Sequence, residues 1–161
     1  MTRLKSNSNF TLHLKKIYFF FPSFSIGHPF LFEQMEEELQ YFASFDIEGK
    51  PLDGNKYYRW HLPPNIPASK FWSVIVYDSQ SRLIISTDQL WPSIHSSSGT
   101  LIVNQDRSVD CWFGPELPPG KQHNWIQTKP GKNWNLILRL YYPTESWFEK
   151  SWMPGEIEEV V

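Results

Sequence analysis

The sequence predicts an all-β domain, an antiparallel β-sandwich or jelly-roll with one or two short helices, and three observations predict it. From residue 40 onward, short runs rich in β-branched and aromatic residues alternate with turn clusters. Those runs, about eight of them, recur at intervals of about 8 to 15 residues. Nothing between them has the length or periodicity of the crossover helices that a parallel α/β sheet requires.

The elements follow in order. Tyr41-Phe42-Ala43-Ser44-Phe45 is a short strand, followed by the turn Asp46-Ile47-Glu48-Gly49. Pro51-Leu52-Asp53-Gly54 is a second turn, where Asp-Gly is expected to supply a positive φ. Residues 56–62 alternate as a half-buried strand that Pro63, Pro64 and Pro67 stop, since proline cannot donate to a ladder. In residues 71–78, Trp72, Val74 and Val76 share one face while Phe71, Ile75 and Tyr77 share the other. Two apolar faces predict a central strand buried on both sides. Residues 83–87 form the next strand, and residues 99–104 and 108–113 flank a turn at 104–107 as a hairpin. Residues 125–128 and 135–142 complete the set. Helix is expected only at residues 33–39, which are acidic and uncapped, and at 144–149, with Thr144 as N-cap and Glu145 in the first turn.

Charge places a boundary near residue 33. Residues 1–32 carry Arg3, Lys5, Lys15 and Lys16 and no acid, leaving 11 of the 15 Lys+Arg and all 17 Asp+Glu to the remainder. The first part, basic and then apolar from Ile17 to Ile26, has the order of an export signal. Its apolar run is aromatic, is broken by Pro22 and lacks a small-x-small cleavage site. An upstream extension or weakly ordered tail is the favoured reading over an export signal, so residues 1–32 are taken as a disordered or signal-like segment ahead of a domain at 33–161. An export signal would place the protein in the periplasm or cell envelope; otherwise it is cytoplasmic. No run reaches the roughly 18 to 20 apolar residues of a transmembrane helix. The net charge of −2 argues against nucleic acid as a partner. A single cysteine excludes a disulfide framework.

Three stretches carry a resemblance when taken together. The first runs from Pro51-Leu52-Asp53-Gly54 through Leu62-Pro63-Pro64-Asn65-Ile66-Pro67 to Phe71-Trp72-Ser73-Val74-Ile75-Val76-Tyr77-Asp78. The second is Phe113-Gly114-Pro115 with Pro119-Gly120-Lys121 and Asn124-Trp125-Ile126-Gln127-Thr128. The third is Leu138-Arg139-Leu140-Tyr141, Trp147-Phe148 and Trp152-Met153-Pro154-Gly155-Glu156-Ile157. Over residues 40–161 this order resembles the C-terminal DUF1214 domain of bacterial DUF1254/DUF1214 envelope proteins. The resemblance implies a jelly-roll β-sandwich, no settled activity, and a DUF1254-like domain as partner. Nothing before residue 33 resembles that partner domain, so the chain reads as a truncated or solitary member.

The candidate chemistry is sparse. His61, His95 and His123 form no short H-x-H or H-x3-H pair, so neither a metal site nor a cofactor is expected. Asp78 and Asp88 sit at strand ends, where carboxylates accept backbone N–H bonds in turns. His95 adjoins Ser96-Ser97-Ser98, a loop sequence without a G-x-S-x-G elbow. Cys111 alternates into the core beside Asp110, the wrong sign to stabilise a thiolate. Tryptophans are more telling: Trp60, Trp91, Trp112, Trp125, Trp134, Trp147 and Trp152 exceed what a small core needs. Trp147 and Trp152, outside any strong strand, are the leading binding candidates, with Trp125. Arg139 interrupts the apolar run 136–140, which calls for a carboxylate such as Asp78 or Asp110, or for a bound anion, and for a large loss of stability on its removal. The function read from these features is a non-catalytic structural or binding module that engages a DUF1254-like domain or a second copy of itself. Its rival is a hydrolase-like enzyme with a polar pocket at one end of the sandwich.

Overall fold

The computed structural model describes residues 38–160 together with the backbone of Tyr18–Phe19. Nine strands and one short helix are described. They are β1 (Tyr18–Phe19), β2 (Glu38–Ala43), β3 (Tyr57–Leu62), β4 (Ala68–Asp78), β5 (Ser93–His95), β6 (Val109–Gly114), β7 (Trp125–Gln127), β8 (Trp134–Pro143), α1 (Glu145–Phe148) and β9 (Ile157–Val160). The strands form two sheets, of order β1-β2-β8-β4-β5 and β7-β6-β3-β9. Every pairing is antiparallel except β6 with β7, which run parallel. Residues 115–124, with Pro115, Pro118, Pro119 and Gly120, carry the chain back to the end from which β6 started.

Alternation builds the core between the sheets. Leu39, Tyr41 and Ala43 of β2, Trp72, Val74 and Val76 of β4, and Trp134, Leu136, Leu138 and Leu140 of β8 point inward from one sheet. Tyr58, Trp60 and Leu62 of β3 and Val109, Cys111 and Phe113 of β6 meet them from the other. Rings organise this interior. Trp60 stacks on Tyr41 with centroids 5.9 Å apart and planes 15° apart. Trp134 packs edge-on to Tyr58 at 5.6 Å and lies 4.9 Å from Phe113.

Several predicted elements are corrected. The helix expected at 33–39 is, over its described part, the start of β2: Glu38 and Leu39 follow the strand period, with Leu39 inward and Glu38 paired to Tyr141. Residues 33–37, like the rest of the segment around Tyr18–Phe19, lie outside the described residues. β4 buries its inner face, but on its outer face only Ser73 is buried. Phe71, Ile75 and Tyr77 are half-buried on the outside of the sheet, and β8 rather than β4 is the central strand. Of residues 83–87, only Ile84 bridges the sheet, opposite Tyr77, and only Ile85 enters the core.

In the expected hairpin the turn is present, with Asn104 N donating to Ser108 O. Residues 99–104, however, are not a strand. The buried Asn124 side chain holds them instead: its Nδ2 donates to Ile102 O (2.7 Å), and its Oδ1 accepts from Ile102 N (3.0 Å). Gly54 is not the positive-φ residue of the early turns; Gly49 is, at +77°. Thr144 caps α1 by backbone position without a side-chain bond to it. Sequence reading missed β5 and β9, each only three or four residues long.

Candidate interaction surface

The edge strand beside β4 is split. Ile85 N donates to Val76 O, and the ladder resumes only where Ser93 faces Ile75. Residues 86–92 therefore leave the sheet and return to it. At their far point they reach the other sheet. The Gln89 side chain donates from Nε2 to Trp125 O (3.1 Å) and accepts at Oε1 from Gln127 N (2.7 Å). One side-chain amide thus makes the two bonds that a neighbouring strand would offer the open edge of β7. Gln127 replies in kind: its Oε1 accepts from Asp88 N at 3.0 Å, and its Nε2 donates to Asp88 Oδ2 at 3.2 Å and Pro115 O at 3.1 Å.

Beyond this clasp the chain displays Leu90 and Trp91, which are 84% and 80% exposed. Leu83 and Ile84 stand exposed where the excursion begins. Single exposed apolar residues are ordinary, but two adjacent ones on a hydrogen-bonded excursion, with two more just before it, are not. A recess of about 560 Å³ opens nearby on the outside of the four-stranded sheet. Tyr57, Trp112, Leu117, Pro118 and Val160 line it. Gly114 is required there because a Cβ would lie 2.3 Å from the Tyr57 ring. Lys121 Nζ lies 4.3 Å over the Trp112 ring, a cation–π contact.

The four binding residues expected from sequence are dispersed. Trp147 and Trp152 are in the core rather than on the surface, 8% and 5% exposed. α1 turns Trp147 edge-on to Tyr41 at 6.2 Å, and Trp152 donates from Nε1 to both Pro63 O and Pro64 O. Trp125 lies half-buried on β7, its Nε1 bonded to Gly114 O at 3.2 Å. It is the one of the four that adjoins the excursion.

Arg139 is on the outer face of the five-stranded sheet. Its Nη2 donates to Tyr77 Oη at 3.2 Å, and its Nε is 3.8 Å from Glu38 Oε1. Its partners are therefore Tyr77 and Glu38, not Asp78 or Asp110. Burial alone would lower its pKa, but Tyr77, Tyr141 and Glu38 outweigh that and raise it. With the side chain still 31% exposed, Arg139→Ala is expected to cost about 1 kcal/mol rather than several. A chemical denaturation curve checks this.

The remaining polar groups have structural engagements. Asp78 Oδ1 accepts from Gln80 N and Ser81 N, both at 2.8 Å, which holds its carboxyl below the usual range. Asp110 Oδ1 accepts from His61 Nδ1 at 2.8 Å and Arg59 Nε at 3.1 Å, and its Oδ2 accepts from Asn104 Nδ2. Burial would raise the Asp110 pKa; these three bonds override it and lower it. His95 Nδ1 meets Ser97 Oγ at 3.1 Å while its ring tilts against Phe71. Cys111 is fully buried, and desolvation, with Asp110 adding to it, pushes its thiol pKa far up. Among the described residues no three His, Cys, Asp or Glu side chains gather as a metal site requires. No helix of the described residues is long and apolar enough to cross a membrane.

The family described as "Protein of unknown function (DUF1214)" matches residues 37–145. The chain belongs to the DUF1214 family. Among solved structures, this DUF1214 domain is similar to the VPA0106 protein of Vibrio parahaemolyticus, at 25% identity and a TM-score of 0.66. The match covers 78% of this chain and 31% of that one. It also shares its fold with an uncharacterized protein of Burkholderia cenocepacia, at 17% identity and a TM-score of 0.51, covering 77% of this chain and 29% of that one. The DUF1214 chain thus spans about a third of the length of the solved proteins it matches. Among curated proteins, none matches it.

Proposed function

We propose that this DUF1214 domain is a docking module whose Leu90 and Trp91 seat in an apolar pocket of a partner domain. The exposure of this pair carries the reading: two large apolar side chains stand in solvent on a loop that Gln89 and Gln127 fasten to the sandwich. A clasped loop loses little freedom on binding, and a central aromatic anchor is what interface energetics favour. The occupant proposed is a domain of the kind that fills the rest of the longer solved chains, DUF1254-like in the reading from sequence. The engagement of Asp78, Asp110, His61 and His95 in turns and cross-strand bonds supports this reading over a hydrolase.

The test is a calorimetric titration of the full chain with the unmatched part of the Vibrio parahaemolyticus protein, supplied as a separate polypeptide. Saturable binding that the double substitution Leu90→Ser, Trp91→Ser abolishes supports docking. Binding that ignores the substitution, or its absence in the wild type, overturns it. A dimer that the same substitutions dissolve would put a second copy in the partner's place. The substituted protein is expected to melt as the wild type does, within about 0.5 kcal/mol, because neither residue contributes to the core.

A further inference from the structure

A second recess lies between the two sheets, beside the turn that holds Arg107. It is an open recess of about 280 Å³, near the lower limit for small-molecule pockets. Trp72 of β4 and Val109 of β6, from facing sheets, line it together with Ile66 and Leu101. The two charged residues that line it, Lys70 and Arg107, are both cations, and no carboxylate lines it. Ser96 adds a hydroxyl. Its Oγ accepts from Trp72 N at 3.1 Å, which leaves the O–H free to donate.

Arg107 is held at this site at a cost. Its φ is +70°, a left-handed conformation that disfavours every residue with a Cβ. The turn is over-determined around it. Arg107 N donates to Asn104 O, Ser108 N and Oγ both donate to Asp106 Oδ1, and Asn104 Nδ2 donates to Ser108 Oγ. Asp106, the nearest acid in sequence, is thereby committed to Ser108. Among the described residues the Arg107 guanidinium has neither an ion pair nor a side-chain hydrogen bond. A glycine would relieve the backbone at this position; an unpaired arginine stands there instead, at the rim of the recess.

We propose that this recess binds a small monocarboxylate with a compact apolar body. The carboxylate meets Arg107 and the Ser96 hydroxyl, Lys70 supplies a second positive charge, and the apolar body rests between Trp72 and Val109. Guanidinium and carboxylate match in geometry as well as charge. This site is independent of the docking surface and stands or falls separately from it.

Ligand-observed NMR titration of the full chain with hexanoate tests the proposal, with 1-hexanol as the neutral control. Hexanoate is expected to bind saturably, and hexanol at least tenfold more weakly. Arg107→Gly is the decisive variant because it removes the guanidinium while easing the turn. It is expected to keep or raise the thermal midpoint and to weaken hexanoate at least tenfold, the loss of one charge-assisted hydrogen bond. Arg107→Lys is expected to retain part of the affinity. Equal binding of hexanol and hexanoate, unchanged affinity in Arg107→Gly, or no saturation up to roughly 10 mM hexanoate would overturn the assignment.

Discussion

Trp60→Ala is expected to destabilise the domain by about 3–5 kcal/mol, enough to lower the thermal midpoint by roughly 10–20 °C. Trp60 is fully buried on β3, and its ring stacks on Tyr41 across the gap between the sheets. Removing it opens a cavity between two rigid ladders that collapse poorly. A second loss adds to the first. Trp60 Nε1 donates to Gly155 O at 2.8 Å, so alanine leaves that carbonyl without its partner. The same bond ties the segment between α1 and β9 to the core, where Gly155 N in turn donates to His61 O. Loosening of β9 should therefore accompany the melt, visible as faster amide exchange at Ile157 and Glu158. Trp60→Phe keeps most of the apolar contact and lacks the N–H. Its smaller loss separates the cavity from the hydrogen bond.

Gly54→Ala is expected to rival it, at about 3 kcal/mol, for the opposite reason. A Cβ at Gly54 would stand 2.0 Å from Lys129 O and 2.7 Å from Lys132 O. Both obstacles are backbone, so no rotamer change relieves them. The approach is close because the strands' connections interlock there: Gly54 N donates to Lys132 O at 2.8 Å, and Thr128 Oγ1 donates to Gly54 O at 3.0 Å. Alanine must part these loops or break both bonds. Gly99→Ala is the matched control, since nothing lies within 4 Å of its Cβ position. It should leave the urea midpoint unchanged or raise it slightly by restricting the unfolded chain. A Gly54→Ala midpoint equal to that of Gly99→Ala would show that the loops yield.

The sandwich was legible in the sequence because its long strands obey a period of two. Trp72, Val74 and Val76, and Leu136, Leu138 and Leu140, are spaced as a strand spaces its buried side and lie on that side. What the period cannot convey is what lies over the second side. Phe71, Ile75 and Tyr77 resemble core residues in sequence, yet they form the sheet's outer surface with Arg139 among them. Trp147 and Trp152 stood outside any strand and were expected at the surface. Their burial depends on α1 folding back onto Tyr41 of β2, a contact between distant parts of the chain. Leu90 and Trp91 are exposed for a similarly nonlocal reason. Residues 86–92 are drawn out of the edge by bonds from Gln89 to Trp125 and Gln127, more than thirty residues away. Short elements were lost for a third reason: β5 has one buried residue, Ile94, too few to establish a period.

The order in which the strands become available has a bearing on how the protein matures. In one sheet β8 lies between β2 and β4 and joins them, so the earlier strands have no shared neighbour until residue 134 is made. In the other sheet β3 waits for β9 to complete its pairing. Such distant partnerships slow folding and postpone it until nearly the whole domain has left the ribosome. Until then β2 and β4 each lack the partner of their longest ladder, so their apolar residues stay open to water or to one another for most of synthesis.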